Sequence, residues 1–441
     1  MKQVLVLGAG LVSRPLVRYL LGQEGFHVSV ASRTFEKAKR LIDDAANGKA
    51  LQLDVSDEAA LEQLIAAADL SVSLLPYEYH PLVARLCVKH RRHMVTTSYV
   101  KEPMRALDPA AKEAEVLLLN EIGVDPGIDH MSAMQAIERI RNAGGELVGF
   151  ASYCGGLPAP EANDNPFGYK FSWAPRGVIL ATKNPGRYLK DGEVVDIPGE
   201  RLLTHHWPVA IEGVGKLESL TNRDALPYTE TYGIPNVRSM FRGTLRYPGW
   251  CETMGKIAEL GFLDETARDD LGGLGFRELT ARLIGNTGGN LKTALAKALR
   301  VDPTAKVIAD LEWLGLLSDD PLPTKANTLL DVLAERMLEK MKYAPGERDM
   351  IVMQHEFTVK YPDRAEKLTS TLIDYGVPHG DSAMSRLVAL PAAIAVKLIL
   401  KGKIDLTGVH IPVRPEIYEP VLAELSGMGV AFTEATEVIA S

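Results

Sequence analysis

Residues 4–15 read VLVLGAGLVSRP, and residues 28–34 read VSVASRT. The first stretch is an apolar strand, Val4 to Leu7, followed by a turn carrying Gly8 and Gly10 and a helix start at Leu11, Val12 and Ser13. Glycines at such a turn let the chain fold tightly and bring backbone N–H groups to a pyrophosphate at a helix N-terminus. Ser13 stands where the G-x-G-x-x-G pattern has its third glycine. Pro15 falls in the first helical turn, where a missing N–H costs nothing. The second stretch ends in Ser32, Arg33 and Thr34. A pocket for NAD usually has an Asp or Glu there, holding the ribose 2′-hydroxyl. Two hydroxyls and a cation suit a 2′-phosphate instead, so NADP(H) is the expected cofactor.

The 441 residues are enough for two or three domains, each with its own core. A hydrophobic content of 46% and a charged content of 24% describe an ordinary globular protein. A net charge of −8 speaks against a general binder of nucleic acid or anionic membrane. Cys87, Cys154 and Cys251 are too far apart in sequence for a disulfide framework or a zinc motif, which suggests a reducing compartment. The short N-terminal apolar run, broken by glycine, lacks the core of a signal peptide. No apolar stretch is read as long enough to span a membrane. The cytoplasm is the expected location, and no metal is expected.

Strands alternate with helices through the first 120 residues or so, which implies a parallel sheet covered on both faces. Asp54 and Val55 follow the third strand and Leu75 the fourth, at the carboxyl ends where open α/β sheets bind ligands. Asp54 also reads as a helix cap and Leu75 as core. From Gly149 glycine, proline and aromatic residues crowd the chain, with short β-like runs at Gly177–Ala181 and Glu193–Ile197. Residues 250–342 are patterned as helices, and Met350–Lys360 as a strand. Ala392–Leu400 is read as a helix that rejoins the first domain. The expected fold is α/β, a Rossmann-type parallel-sheet domain with a second, mixed-sheet α/β domain and a helical insert. The expected domains are 1–125 with a return near 390–420, 126–246 with 345–390, and 247–344.

Three loops carry candidate chemistry. Thr96, Thr97, Ser98 and Tyr99 follow the fifth strand, where the hydroxyls suit a ribose or carboxylate and Tyr99 a proton transfer; a hydrogen-bonded turn fits equally. Glu121 to His130 follow the sixth strand, with Pro126-Gly127 as a turn and Asp125 placed to meet an amino group. Asp129-His130 could pass for a metal or acid–base pair, but the preferred reading has Asp129 as the cap of a helix Met131–Arg141 and His130 as structural. Cys154, before two glycines, lacks a histidine partner, which argues against covalent catalysis. Arg223, Arg242 and Arg246 offer bidentate forks for carboxylates, although a single arginine is more commonly a surface ion pair. His205-His206 lacks the carboxylates and spacing of a metal site.

With these residues in view the chain resembles the saccharopine reductases, the saccharopine dehydrogenases that form glutamate. The matching pieces are GAGLVSRP at 8–15, ASRT at 31–34, TTSY at 96–99 and NEIGVDPGIDH at 120–130. CGGLPAPE at 154–161, NPFGYKFSWAPRG at 165–177 and FRGTLRYPGW at 241–250 follow in order. The resemblance implies a dinucleotide domain, a substrate and dimerisation domain, a helical insert and a homodimer. It implies cofactor contacts at Gly8, Gly10, Leu11, Val12, Ser13, Ser32, Arg33, Thr34, Asp54, Val55 and Leu75. Thr97, Ser98, Val124, Asp125, Pro126 and Ala174 complete that set, with Ala174 departing from an expected serine. Saccharopine is implied to meet Ser98, Tyr99, Asp125, Arg223, Thr244, Leu245 and Arg246. Tyr99, Asp125 and Cys154 are the candidates for proton transfer. Two other functions compete: a related reductase acting on a polyamine or another amino-acid imine, and a non-catalytic NADP(H)-binding regulator.

Overall fold

Strand β1 (Lys2–Leu7) buries four consecutive apolar side chains, Val4 to Leu7, and such a run needs cover on both faces. The computed structural model, which describes residues 1–439, supplies it with helices between parallel strands. In chain order these are α1 (Ser13–Leu21), β2 (Phe26–Ser32), α2 (Phe35–Ile42), β3 (Gly48–Gln52), α3 (Glu58–Ala67) and β4 (Leu70–Ser73). Then come α4 (His80–Lys89), β5 (His93–Thr96), α5 (Glu102–Arg105), α6 (Asp108–Glu113), β6 (Leu117–Leu119) and α7 (Ile128–Asn142). The spatial order β3-β2-β1-β4-β5-β6 reverses direction between β1 and β4, and that crevice is where such sheets bind dinucleotides.

After α7 the chain makes β7 (Glu146–Pro158), α8 (Pro175–Ala181), β8 (Gly186–Lys190), β9 (Glu193–Ile197), β10 (His206–Ile211) and β11 (Gly215–Thr221). A short α9 (Pro227–Thr231) leads to β12 (Ser239–Arg246). Five helices occupy the stretch patterned as helical: α10 (Trp250–Glu259), α11 (Phe276–Leu283), α12 (Leu291–Leu299), α13 (Lys306–Leu314) and α14 (Leu329–Lys340). The chain closes with β13 (Asp349–Lys360), β14 (Ala365–Tyr375), α15 (Ala383–Leu400), β15 (Gly408–His410), α16 (Pro415–Gly427) and β16 (Thr433–Ile439). β15 adds a seventh parallel strand beside β6.

Two compact units result, Met1–Leu147 with the described residues from Thr358 onward, and Val148–Phe357. In the second unit β12 lies parallel to β7 and antiparallel to β11, which pairs antiparallel with β10, so that sheet is mixed. The helices α10–α14 belong to this same unit.

Three readings from sequence need correction. Gly177–Ala181 looked β-like, but Pro175–Ala181 is helical: Pro175 occupies the first turn, where proline is pre-organised. The last long helix begins at Ala383 and runs through a buried Pro391, where sequence reasoning expects a proline to stop a helix. That helix has the length and apolar composition of a membrane span, with a mean hydropathy of 1.8. Yet 72% of it is buried within the protein, where it packs on α1 and against β4 and β5 as a core helix.

The turn before α7 is closed by Gly123 N–H donating to the Pro126 carbonyl at 2.9 Å. Gly127 sits at φ +145°, and a Cβ there would lie 2.1 Å from the Gly123 carbonyl oxygen. Gly127→Ala is therefore expected to destabilise the protein by about 3 kcal/mol or more, as clashes and strain at special backbone positions do. Urea unfolding of the variant measures it.

Candidate active site

The glycine turn is braced from within. Gly8 has φ +111° and packs so that a Cβ would touch the Leu74 carbonyl at 3.0 Å, at the end of β4. Ser13, fully buried, accepts the Gly10 N–H at 3.0 Å and donates to the Gly8 carbonyl at 3.3 Å. The residue that breaks the glycine pattern thus ties the loop to the start of α1. Leu11 is 69% exposed on the rim and Val12 is half-buried.

At the end of β2, Ser32 Oγ accepts the Thr34 N–H at 3.3 Å, while Arg33 and Thr34 are exposed. Asp54, just beyond β3, accepts the Ser56 N–H at 3.0 Å and its hydroxyl at 2.8 Å. These bonds, then the charge of Arg33, hold its carboxyl below the usual range. The helix cap expected of Asp54 is provided by Asp57, which accepts the Ala60 N–H. Val55 and Leu75 are half-buried beside these strand ends. A cradle in which a Cβ would collide, an exposed guanidinium and the lack of an acid at the β2 terminus together fit a dinucleotide bearing a 2′-phosphate.

Two loops meet beyond β5 and β6. The Tyr99 hydroxyl donates to Asp125 Oδ1 at 3.0 Å. Gly123 lies against Thr97, where a Cβ would come within 3.2 Å of the threonine Cβ. Asp125 is half-buried between buried Val124 and Pro126. Asp129, expected to cap α7, lies instead inside its first turn; the capping position is Gly127, whose N–H donates to Asp129 Oδ1 at 2.5 Å. Sequence reasoning passed over His80 altogether. Its ring bridges Ser73 Oγ at 2.9 Å and Ser98 Oγ at 2.8 Å, with Thr96 Oγ1 at 3.4 Å. It also left Glu121 without a role and read His130 as structural. Nε2 of that histidine lies 2.9 Å from Glu121 Oε2, both side chains buried.

In the second unit a small pocket is lined by Thr221, Asn222, Arg223, Thr244, Arg246 and Trp250, among others. Arg223 has φ +57° and is exposed, whereas Arg246 is 6% exposed. The Arg246 guanidinium lies 4.9 Å from the Tyr169 ring centre and donates to the Leu245 carbonyl at 2.7 Å. Its Nε, Thr221 Oγ1 and Trp250 Nε1 are buried polar atoms without a protein partner. Orphaned donors beside a guanidinium mark a place for an acceptor-rich ligand group. Cys154 is buried on β7, in register with Thr244 on β12. Leu245 is wholly buried, and Ala174 is exposed ahead of α8.

His206 does find company that its sequence neighbours do not offer: Glu218 and Cys251 bring donor atoms to within 4.8 Å of one another and of the ring. Glu218 is already engaged, since its two oxygens accept the N–H groups of Gly249 at 2.7 Å and Cys251 at 3.2 Å at the start of α10.

Residues 4–119 match the family model for the saccharopine dehydrogenase NADP binding domain, and residues 123–430 the saccharopine dehydrogenase C-terminal domain. The chain belongs to the saccharopine dehydrogenase family. It is 40% identical to a Schizosaccharomyces pombe saccharopine dehydrogenase [NADP(+), L-glutamate-forming], over 98% of this chain and 99% of the relative. It is 38% identical to a Bos taurus mitochondrial alpha-aminoadipic semialdehyde synthase, over 99% of this chain but 48% of that longer protein. The solved apo saccharopine dehydrogenase (L-Glu forming) from Saccharomyces cerevisiae superposes with a TM-score of 0.91 at 37% identity, covering 99% of this chain and 100% of the other.

Burial pushes His80 down to about 4 from the ordinary 6.5, so the folded protein resists a proton that the unfolded chain accepts. This stability is present above pH 6.5 and is lost as the pH falls towards 4. His80→Gln is expected to flatten part of the acid-side fall in urea midpoint, measured across that range.

Proposed function

We propose that the chain is an NADP(H)-dependent saccharopine dehydrogenase of the L-glutamate-forming type. Saccharopine, NADP+ and water are interconverted with L-glutamate, allysine (2-aminoadipate semialdehyde), NADPH and a proton. The observation that carries the reading is the Tyr99–Asp125 hydrogen bond at the carboxyl edge of a parallel sheet whose whole chain matches this family.

NADP(H), when bound, supplies or accepts the hydride at the carbon–nitrogen bond. The residues that would hold it are the Gly8–Ser13 loop for the pyrophosphate and Ser32, Arg33 and Thr34 for the 2′-phosphate. Asp54, Val55, Leu75, Thr97, Ser98 and the Val124–Pro126 turn belong to the same proposed set, with Ala174 from the second unit. Hydrolysis of the oxidised carbon–nitrogen bond adds water and expels an amine, and both events move protons. Tyr99 and Asp125 share a hydrogen-bonded proton, and their loops follow strand ends where ligands bind. This supports them as the pair that takes a proton from water and returns one to nitrogen. Cys154 is retained as a third proton-transfer candidate.

Saccharopine carries three carboxylates. Arg223 and Arg246, with the hydroxyl of Thr244 and with Leu245 between them, would receive carboxylate oxygens, and the orphaned Arg246 Nε supports that role. A polyamine would call for acids in their place. Proposed contacts in the first unit are Ser98, Tyr99 and Asp125.

Purified protein with saccharopine and NADP+ is expected to generate the near-ultraviolet absorbance of NADPH; no signal with either nicotinamide cofactor overturns the reading. Arg33→Asp is expected to raise the NADP+ KM by about 10- to 100-fold relative to that for NAD+, the value of one or two charge-assisted hydrogen bonds. Arg223→Ala, at an exposed position, is expected to raise the saccharopine KM by about tenfold while leaving the NADP+ KM in place.

A further inference from the structure

Tyr99 and Asp125 stand on different loops, and their contact depends on how those loops are held together. Glu121 holds the Tyr99 loop on both sides of the tyrosine. Its N–H donates to the Ser98 carbonyl at 3.1 Å, and its Oε1 accepts the Val100 N–H at 2.8 Å. To reach both, Glu121 adopts φ +56°, a left-handed backbone that costs a non-glycine residue energy and persists only where surroundings enforce it.

The other carboxylate oxygen carries the link onward. Glu121 Oε2 lies 2.9 Å from Nε2 of His130, a fully buried ring in the first turn of α7. On its far side Nδ1 is 3.7 Å from Asp129 Oδ2, and Asp129 Oδ1 holds the Gly127 N–H at 2.5 Å. The series Val100, Glu121, His130, Asp129, Gly127 therefore starts one residue beyond Tyr99 and ends two residues beyond Asp125. Burying two carboxylates and an imidazole is expensive unless every group is engaged. Stability alone would be served as well by apolar residues of the same size.

We propose that Glu121 and His130 are positioning residues which set the Tyr99–Asp125 distance and thereby the rate of proton transfer, without touching substrate or cofactor. The proposal rests on reading Tyr99 and Asp125 as the proton-handling pair. A misplacement of about 1 Å in such a pair costs on the order of 10²-fold in rate.

The test uses the full chain with saccharopine and NADP+. Glu121→Gln and His130→Gln are expected to lower kcat by about 10²-fold, with NADPH affinity and both KM values within about twofold. The solvent isotope effect on kcat is expected to rise, because proton transfer becomes limiting. In an Asp125→Asn background, Glu121→Gln is expected to have almost no further effect, since the pair it positions is already broken. If Tyr99→Phe and Asp125→Asn leave kcat and the isotope effect unchanged, the underlying reading fails. If those two lower kcat but the Glu121 and His130 variants leave it within about twofold, or add fully to Asp125→Asn, the positioning role is overturned. If neither variant binds NADPH, the pair is a folding element and the proposal is likewise overturned.

Discussion

Parallel strands pair only if the chain crosses back over the sheet between them, so every strand of a parallel sheet ends at the same edge. The rest of the first unit follows from that constraint. The Gly8 turn, the Ser32–Thr34 terminus, Asp54, Leu75, the Thr96–Tyr99 loop and the Glu121–Gly127 loop all leave strands in the same direction. Residues as far apart in sequence as Gly8 and Gly127 thus line a single rim. The fold contributes convergence; the loop residues contribute chemistry.

Charge is distributed unevenly around this plan. A chain with a net charge of −8 places Arg33 at an acid-free strand end and Arg223 and Arg246 at the second unit's pocket. Arg246 is lodged among Tyr169, Trp250 and β-sheet backbone, where the guanidinium faces a lower dielectric than a surface cation. Asp54 and Arg33 act on each other while each remains accessible, a balance suited to a site that must admit a highly charged ligand.

The dinucleotide half of the fold was legible because its signals are local. The glycine turn leads into α1, and strands alternate with helices as apolar spacing implies, although α3 is capped by Asp57 and not by Asp54. The second half was less so. Gly177–Ala181 was read as β-like and the last long helix as starting only at Ala392; the first-turn position of Pro175 and the burial of Pro391 inside the helix decide otherwise. Among site residues, Tyr99 and Asp125 were visible as chemistry-bearing types in loops after strands, and they are hydrogen-bonded to each other. His80 and Glu121 were not assigned roles, since each acts through partners on other elements, Ser98 for His80 and Val100 for Glu121, that pattern reading does not join. Ser13 was read as a defect in a glycine motif, and only the bonds it makes to Gly8 and Gly10 show it as a brace.

The apolar helix α15 has a consequence for how this chain is made. It covers α1 and lies against β4 and β5, yet it comes from residues 383–400, and the strand at the sheet's other edge comes later still. A nascent chain leaving the ribosome has all six N-terminal strands long before it owns their cover. Until residues 383–400 are made, that greasy face of the nucleotide domain lacks this lid, and apolar surface left bare in the meantime favours aggregation.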